Sequence, residues 1–78
     1  MTQNNSHFRT MHEVEVIYLK DGIYESRKFA YYLEDEAVKI YQRTINKFKE
    51  IGNAIVTLRD EQNTLLKIER FNPKHLPQ

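Results

Sequence analysis

The sequence predicts an α+β fold, a two-layer sandwich of order ββαββ in which one amphipathic helix covers one face of a four-stranded antiparallel sheet. Three observations carry that expectation. Asp21-Gly22 sits between two strand-like runs, Asp60-Glu61-Gln62-Asn63 sits between two more, and the segment between these hairpins places apolar residues at helical spacing.

In the first hairpin, Val14, Val16 and Tyr18 alternate with Glu13, Glu15 and Ile17. Asp-Gly favours a two-residue turn because both central residues must accept positive φ. That turn would place Leu19 opposite Tyr24, Ile17 opposite Ser26, Glu15 opposite Lys28 and Val14 opposite Phe29. Val14, Val16, Tyr18 and Phe29 then share an inner face, awkwardly joined near the turn by Glu25 and Arg27, and Glu15 faces Lys28 as a cross-strand ion pair.

The helix should run from about Leu33 or Glu34 to Ile51. Ala37, Ile40, Tyr41, Thr44, Ile45, Phe48 and Ile51 form its apolar stripe, opposite Glu36, Lys39, Arg43 and Glu50. Acidic residues crowd its start, lysines its end, and Gly52 supplies a stop.

In the second hairpin, Asn63 suits the left-handed position of a three-residue loop. The resulting register pairs Leu58 with Leu66 and Val56 with Ile68 on the inner face. Arg59 with Leu65, Thr57 with Lys67 and Ile55 with Glu69 would point outward. The expected core is Val14, Val16, Tyr18, Phe29, Ala37, Tyr41, Ile45, Phe48, Val56, Leu58, Leu66 and Ile68. Residues 11–71 make one domain, between a flexible N-terminus over 1–10 and a flexible tail over 72–78.

A 78-residue chain buries only about 60% of its unfolded surface, so some supplement to its core is expected. Cysteine is absent, which removes disulfides and thiolate zinc sites. Oligomerisation or docking onto a partner is left. The apolar core of a signal peptide and the length of a membrane span are both missing, which points to a cytoplasmic chain with no membrane partner. Twelve basic residues against eleven acidic ones give no long-range field toward nucleic acid or anionic lipid.

Several chemistries lack their parts. Gly22 and Gly52 are the only glycines, too few for a phosphate-cradling loop. His7, His12 and His75 lie in or beside the ends and read as solvated side chains, so neither a catalytic triad with Ser6 or Ser26 nor a metal site is expected. Glu13 and Glu15 lack a cleft to desolvate them for acid–base work. The expectation is no enzyme, no cofactor and no metal.

Two binding surfaces remain. One helix cannot cover both sides of the sheet, and the far face collects Ile17, Leu19, Tyr24, Lys28, Ile55, Leu65 and Phe71, apolar residues rimmed by charge. This supports a small non-enzymatic protein-interaction or regulatory module that binds a larger protein or homodimerises through its open sheet face. Accessory proteins of phage or mobile elements are commonly of this size and plainness. The alternative is a nucleic-acid-binding module using Tyr24, Arg27, Lys28, Tyr31 and Tyr32 with the helical row Lys39, Arg43 and Lys47, since aromatic platforms beside cations hold single strands.

Overall fold

The computed structural model describes residues 11–73; the expectations for Ser6, His7, His75 and the rest of residues 1–10 and 74–78 lie outside the described residues. The elements are β1 (His12–Lys20), β2 (Ile23–Tyr31), α1 (Glu34–Ile51), β3 (Gly52–Arg59) and β4 (Leu65–Pro73). All four strands are antiparallel neighbours in one sheet of order β2-β1-β3-β4. The α+β, ββαββ fold is therefore as the sequence indicates.

The first hairpin has the expected register throughout, from Lys20 opposite Ile23 to His12 opposite Tyr31. Asp21 and Gly22 both take positive φ, 53° and 82°, as a two-residue turn matched to strand twist requires. The helix also keeps its expected span. Gly52 closes it, with φ 80° and ψ 178° and its N–H donating to Phe48 O, a backbone region essentially reserved for glycine. The same residue opens β3, so helix passes into strand with no loop between.

One dimension decides the rest of the packing. A helix is about 10–12 Å across with its side chains, and strands lie about 4.8 Å apart, so a single helix shades two strands. Those are β1 and β3. The core accordingly consists of Val14 and Val16 from β1, Ala54, Val56 and Leu58 from β3, and Ala37, Tyr41 and Phe48 from α1. Tyr18, Tyr31, Val38, Ile40, Ile45 and Phe71 pack around it, partly buried. On β2, every residue from Ile23 to Ala30 is exposed.

Three expected core residues are displaced. Phe29 is 38% exposed because β2 lies beyond the helix, and Leu66 and Ile68 are each 43% exposed for a different reason. The turn of the second hairpin forms as expected, with Asn63 at φ 67° and Arg59 opposite Leu65. A β-bulge follows at once, and Leu58 then pairs with Lys67, Val56 with Glu69 and Ala54 with Phe71. A one-residue shift sends every later side chain to the other face. Ile68 therefore lies on the open face opposite Thr57, while Phe71 joins the core beside the small Ala54. Lys67 and Glu69 reach the helix side of an edge strand that the helix does not shade, so no charge is buried. The strand also runs on to Pro73, which an edge tolerates.

Asp60 ties the second turn. Its N–H donates to Thr64 O at 3.0 Å, its carbonyl accepts from the Asn63 N–H at 2.9 Å, and its Oδ1 accepts from the amides of Thr64 and Gln62, each at 2.9 Å. The Thr64 amide, more than any other neighbour, holds the carboxyl below its ordinary range, with Gln62 and the nearby His12 adding to the effect. A depressed carboxylate contributes stability that is complete above its unfolded value, about 4, and that fades as pH falls through the folded value. Asp60→Ala is expected to lower the melting temperature at neutral pH, and the gap to wild type should narrow in strong acid. Circular dichroism melts across pH check this; a gap that stays constant into acid would show that the ionised carboxylate contributes nothing.

Candidate functional site

Each face of the sheet can be read across its strands. On the open face the rows in strand order are Ser26, Ile17, Ile55, Arg70; then Lys28, Glu15, Thr57, Ile68; then Ala30, Glu13, Arg59, Leu65. Apolar and charged residues interleave, and oppositely charged residues are neighbours. Glu15 and Lys28 are register partners as expected. The expected ion pair is not made, however: among the described residues the pair within salt-bridge distance is His12 Nε2 and Glu61 Oε1, at 3.9 Å.

Of the residues expected on an interaction surface, Ile17, Leu19, Tyr24, Lys28, Ile55 and Leu65 have open-face positions. Phe71 does not. The bulge in β4 turns it onto the helix side, against the core, and Ile68 takes the open-face place instead. His12 is a second correction, since it is buried rather than solvated. Its Nδ1 has no hydrogen-bond partner, nor does the buried Thr57 hydroxyl.

On the helix side the rows run Glu25, Tyr18, Ala54, Phe71; then Arg27, Val16, Val56, Glu69; then Phe29, Val14, Leu58, Lys67. The central pairs are apolar and lie under the helix; all six ends bear an aromatic ring or a charge at the sheet edges. Tyr18 reconciles Glu25 and Arg27 with this face. Its hydroxyl donates to Glu25 Oε1 at 3.1 Å and accepts from Arg27 Nε at 3.2 Å, while its ring packs 5.3 Å from that of Phe48. One tyrosine thus joins the core to a charged pair held at the edge.

Between α1 and β2 the uncovered strip forms an open groove of about 400 Å³, with Val16, Phe29, Phe48 and Ile51 among its apolar walls and Lys20, Arg27 and Lys47 as its charged lining. Lys47 Nζ sits 5.7 Å from the centre of the Phe48 ring, within cation–π range. The Thr44 hydroxyl, also in the lining, donates to Ile40 O at 2.7 Å within the helix.

The expected nucleic-acid set does not converge. Tyr24 and Lys28 belong to the open face, Arg27 and Tyr31 to the helix side. Tyr32 lies past the end of β2, and Lys39 and Arg43 are exposed on the helix. Only Arg27 and Lys47 meet, in the groove, joined there by Lys20, whose position at the strand end gave it no distinguishing pattern. Tyr41 stands at the far side of the helix stripe. Burial raises its phenol above the ordinary value and the carboxylate of Glu69 adds to this.

Among the described residues no helix is long and apolar enough to cross a membrane, and no group of three potential metal ligands is present. Comparison with protein-family models, with curated proteins and with solved structures finds no match for this chain.

Proposed function

We propose that this chain is a small non-enzymatic interaction module that works as a homodimer. The supporting observation is the exposure of β2: it lies outside the shadow of the helix, yet carries Ile23 at 65%, Tyr24 at 67% and Phe29 at 38% exposure. Large apolar side chains left on both faces of one uncovered edge strand are a surface awaiting cover. A second copy is the occupant because the domain is too small to supplement its own core and has no disulfide to do so. Sedimentation equilibrium of the 9.4 kDa chain is expected to show a concentration-dependent mass approaching twice that value. A single species of monomer mass up to ~100 μM, corresponding to less than about 5.5 kcal/mol of association, would overturn the reading.

A second reading has one observation in its favour. The groove holds three cations and no carboxylate in its lining, beside the partly exposed Phe29, an arrangement that suits a single-stranded phosphate backbone. Its signature would be retention on single-stranded nucleic acid at low salt with a steep loss as salt rises. Retention unchanged by replacing both Lys20 and Lys47 with glutamine would remove the groove as the cause.

A further inference from the structure

We infer that the two copies join edge to edge through β2, antiparallel and centred on Ser26, making one continuous eight-stranded sheet. The inference rests on the homodimer reading and names its contact.

The backbone sets the first condition. In a two-residue hairpin the residues flanking the turn, here Lys20 and Ile23, form a hydrogen-bonded pair. Alternation then directs the N–H and C=O groups of Ile23, Glu25, Arg27, Phe29 and Tyr31 inward to β1. Those of Tyr24, Ser26, Lys28 and Ala30 point outward from the sheet. The strand is nine residues long, its register with β1 is unbroken, and it contains no proline. Of the devices that blunt an edge, only charge is present.

The charges select the register. A two-fold axis normal to the sheet keeps each face on its own side, so only residues of the same face meet. Centring the axis on Glu25, Arg27 or Lys28 brings like charges together. Centring it on Ser26 opposes Glu25 to Arg27 of the second copy twice, Tyr24 to Lys28 twice, and Ile23 to Phe29 twice. The outward-pointing backbone groups of Tyr24, Ser26 and Lys28 meet their counterparts in the same arrangement. Tyr18, by holding both Glu25 and Arg27, sets these charges in place before the second copy arrives. The charges that repel the alignments centred on Glu25, Arg27 and Lys28 accept this one, and centres nearer the strand ends pair a shorter stretch of β2.

The helices do not obstruct it. Each lies over β1 and β3, about two strand spacings from the axis, so the two helices stand ~19 Å apart on one face, well beyond the 8–10 Å of packed helices. The two grooves then open toward each other across the joined strands.

The chain has no cysteine, so single thiols can report the register. Ser26→Cys puts one on the axis, with a Cα separation of about 5.5 Å to its counterpart, inside disulfide reach, and a covalent dimer is expected on oxidation. Tyr24→Cys and Lys28→Cys should each stay unlinked alone, because like positions are offset by ~13 Å, yet link when mixed. Glu25→Arg or Arg27→Glu alone should raise the dimer Kd by about tenfold or more, and the two reversals together should restore it. If the wild-type chain is monomeric, the homodimer reading itself fails. If it is a dimer that Ser26→Cys does not link and charge reversal does not loosen, the edge contact fails while the dimer stands. Dissociation by Ile17→Lys would then place the contact on the open face.

Discussion

Leu58→Ala is expected to leave much of the chain unfolded at 37 °C. Leu58 is the largest of the fully buried side chains, 1% exposed, and pairs with Val14 directly beneath the helix. Truncating a buried leucine costs about 2–5 kcal/mol, the spread reflecting how far the cavity collapses. Collapse is limited here because the neighbours Val14, Val16 and Val56 are β-branched, with stiff χ1, and sit on paired central strands. A domain spanning residues 11–73 has a total stability of only about 3–9 kcal/mol by its length. The loss is therefore a large share of the whole, and for a domain this size each kcal/mol shifts the melting temperature by about 4–8 °C. Melts by circular dichroism at one fixed protein concentration should show a fall of at least ~10 °C. Leu58→Met should cost less than ~1.5 kcal/mol, since volume is kept, and Ile23→Ala less again. A Leu58→Ala variant melting beside wild type would mean the core is not centred on β1 and β3.

The two hairpins show where the sequence was legible and where it was not. Asp21-Gly22 leaves no freedom: two residues, both at positive φ, fix each later pair, and the observed register follows to Tyr31. Glu25 and Arg27 sit awkwardly in that hairpin only if an inner face must be a buried one. Helix width removes the conflict, since the inner face of an edge strand is open to solvent. In the second hairpin the expected register sorts residues into core and surface. That sorting was misleading. Leu65 and Leu66 are consecutive and apolar, so the strand has two acceptable phases, and no glycine marks the bulge that chooses between them. The open-face residues were readable from alternation, apart from Phe71. The groove and the edge were not readable, because both depend on β1 rather than β2 lying next to β3, and no local pattern encodes strand order.

The bulge gives the most discriminating experiment, because the two possible registers predict opposite outcomes for the same deletion. In the observed pairing Leu66 is the extra residue, lying between the Arg59–Leu65 and Leu58–Lys67 pairs. Removing it leaves Leu58 with Lys67, Val56 with Glu69 and Ala54 with Phe71, so the deletion is expected to cost less than ~1 kcal/mol, as for a change at an exposed site. With Leu66 opposite Leu58 instead, the same deletion would rotate every following side chain to the wrong face and unfold the hairpin. Point substitutions separate the registers in the same way. Phe71→Ala should cost about 2 kcal/mol, the lower part of the range for a large side chain because Phe71 is only partly buried, while Ile68→Ala should stay below ~1 kcal/mol. Tyr41 supplies a readout that does not pass through stability. Burial chiefly raises its phenol and the Glu69 carboxylate adds to this, the second only because the bulge brings residue 69 to the helix side. Glu69→Gln should therefore lower, without abolishing, the upward shift of the Tyr41 alkaline midpoint read from its own ring resonances. An unchanged midpoint, together with an unfolded Leu66 deletion, would return Glu69 to the open face and Ile68 to the core.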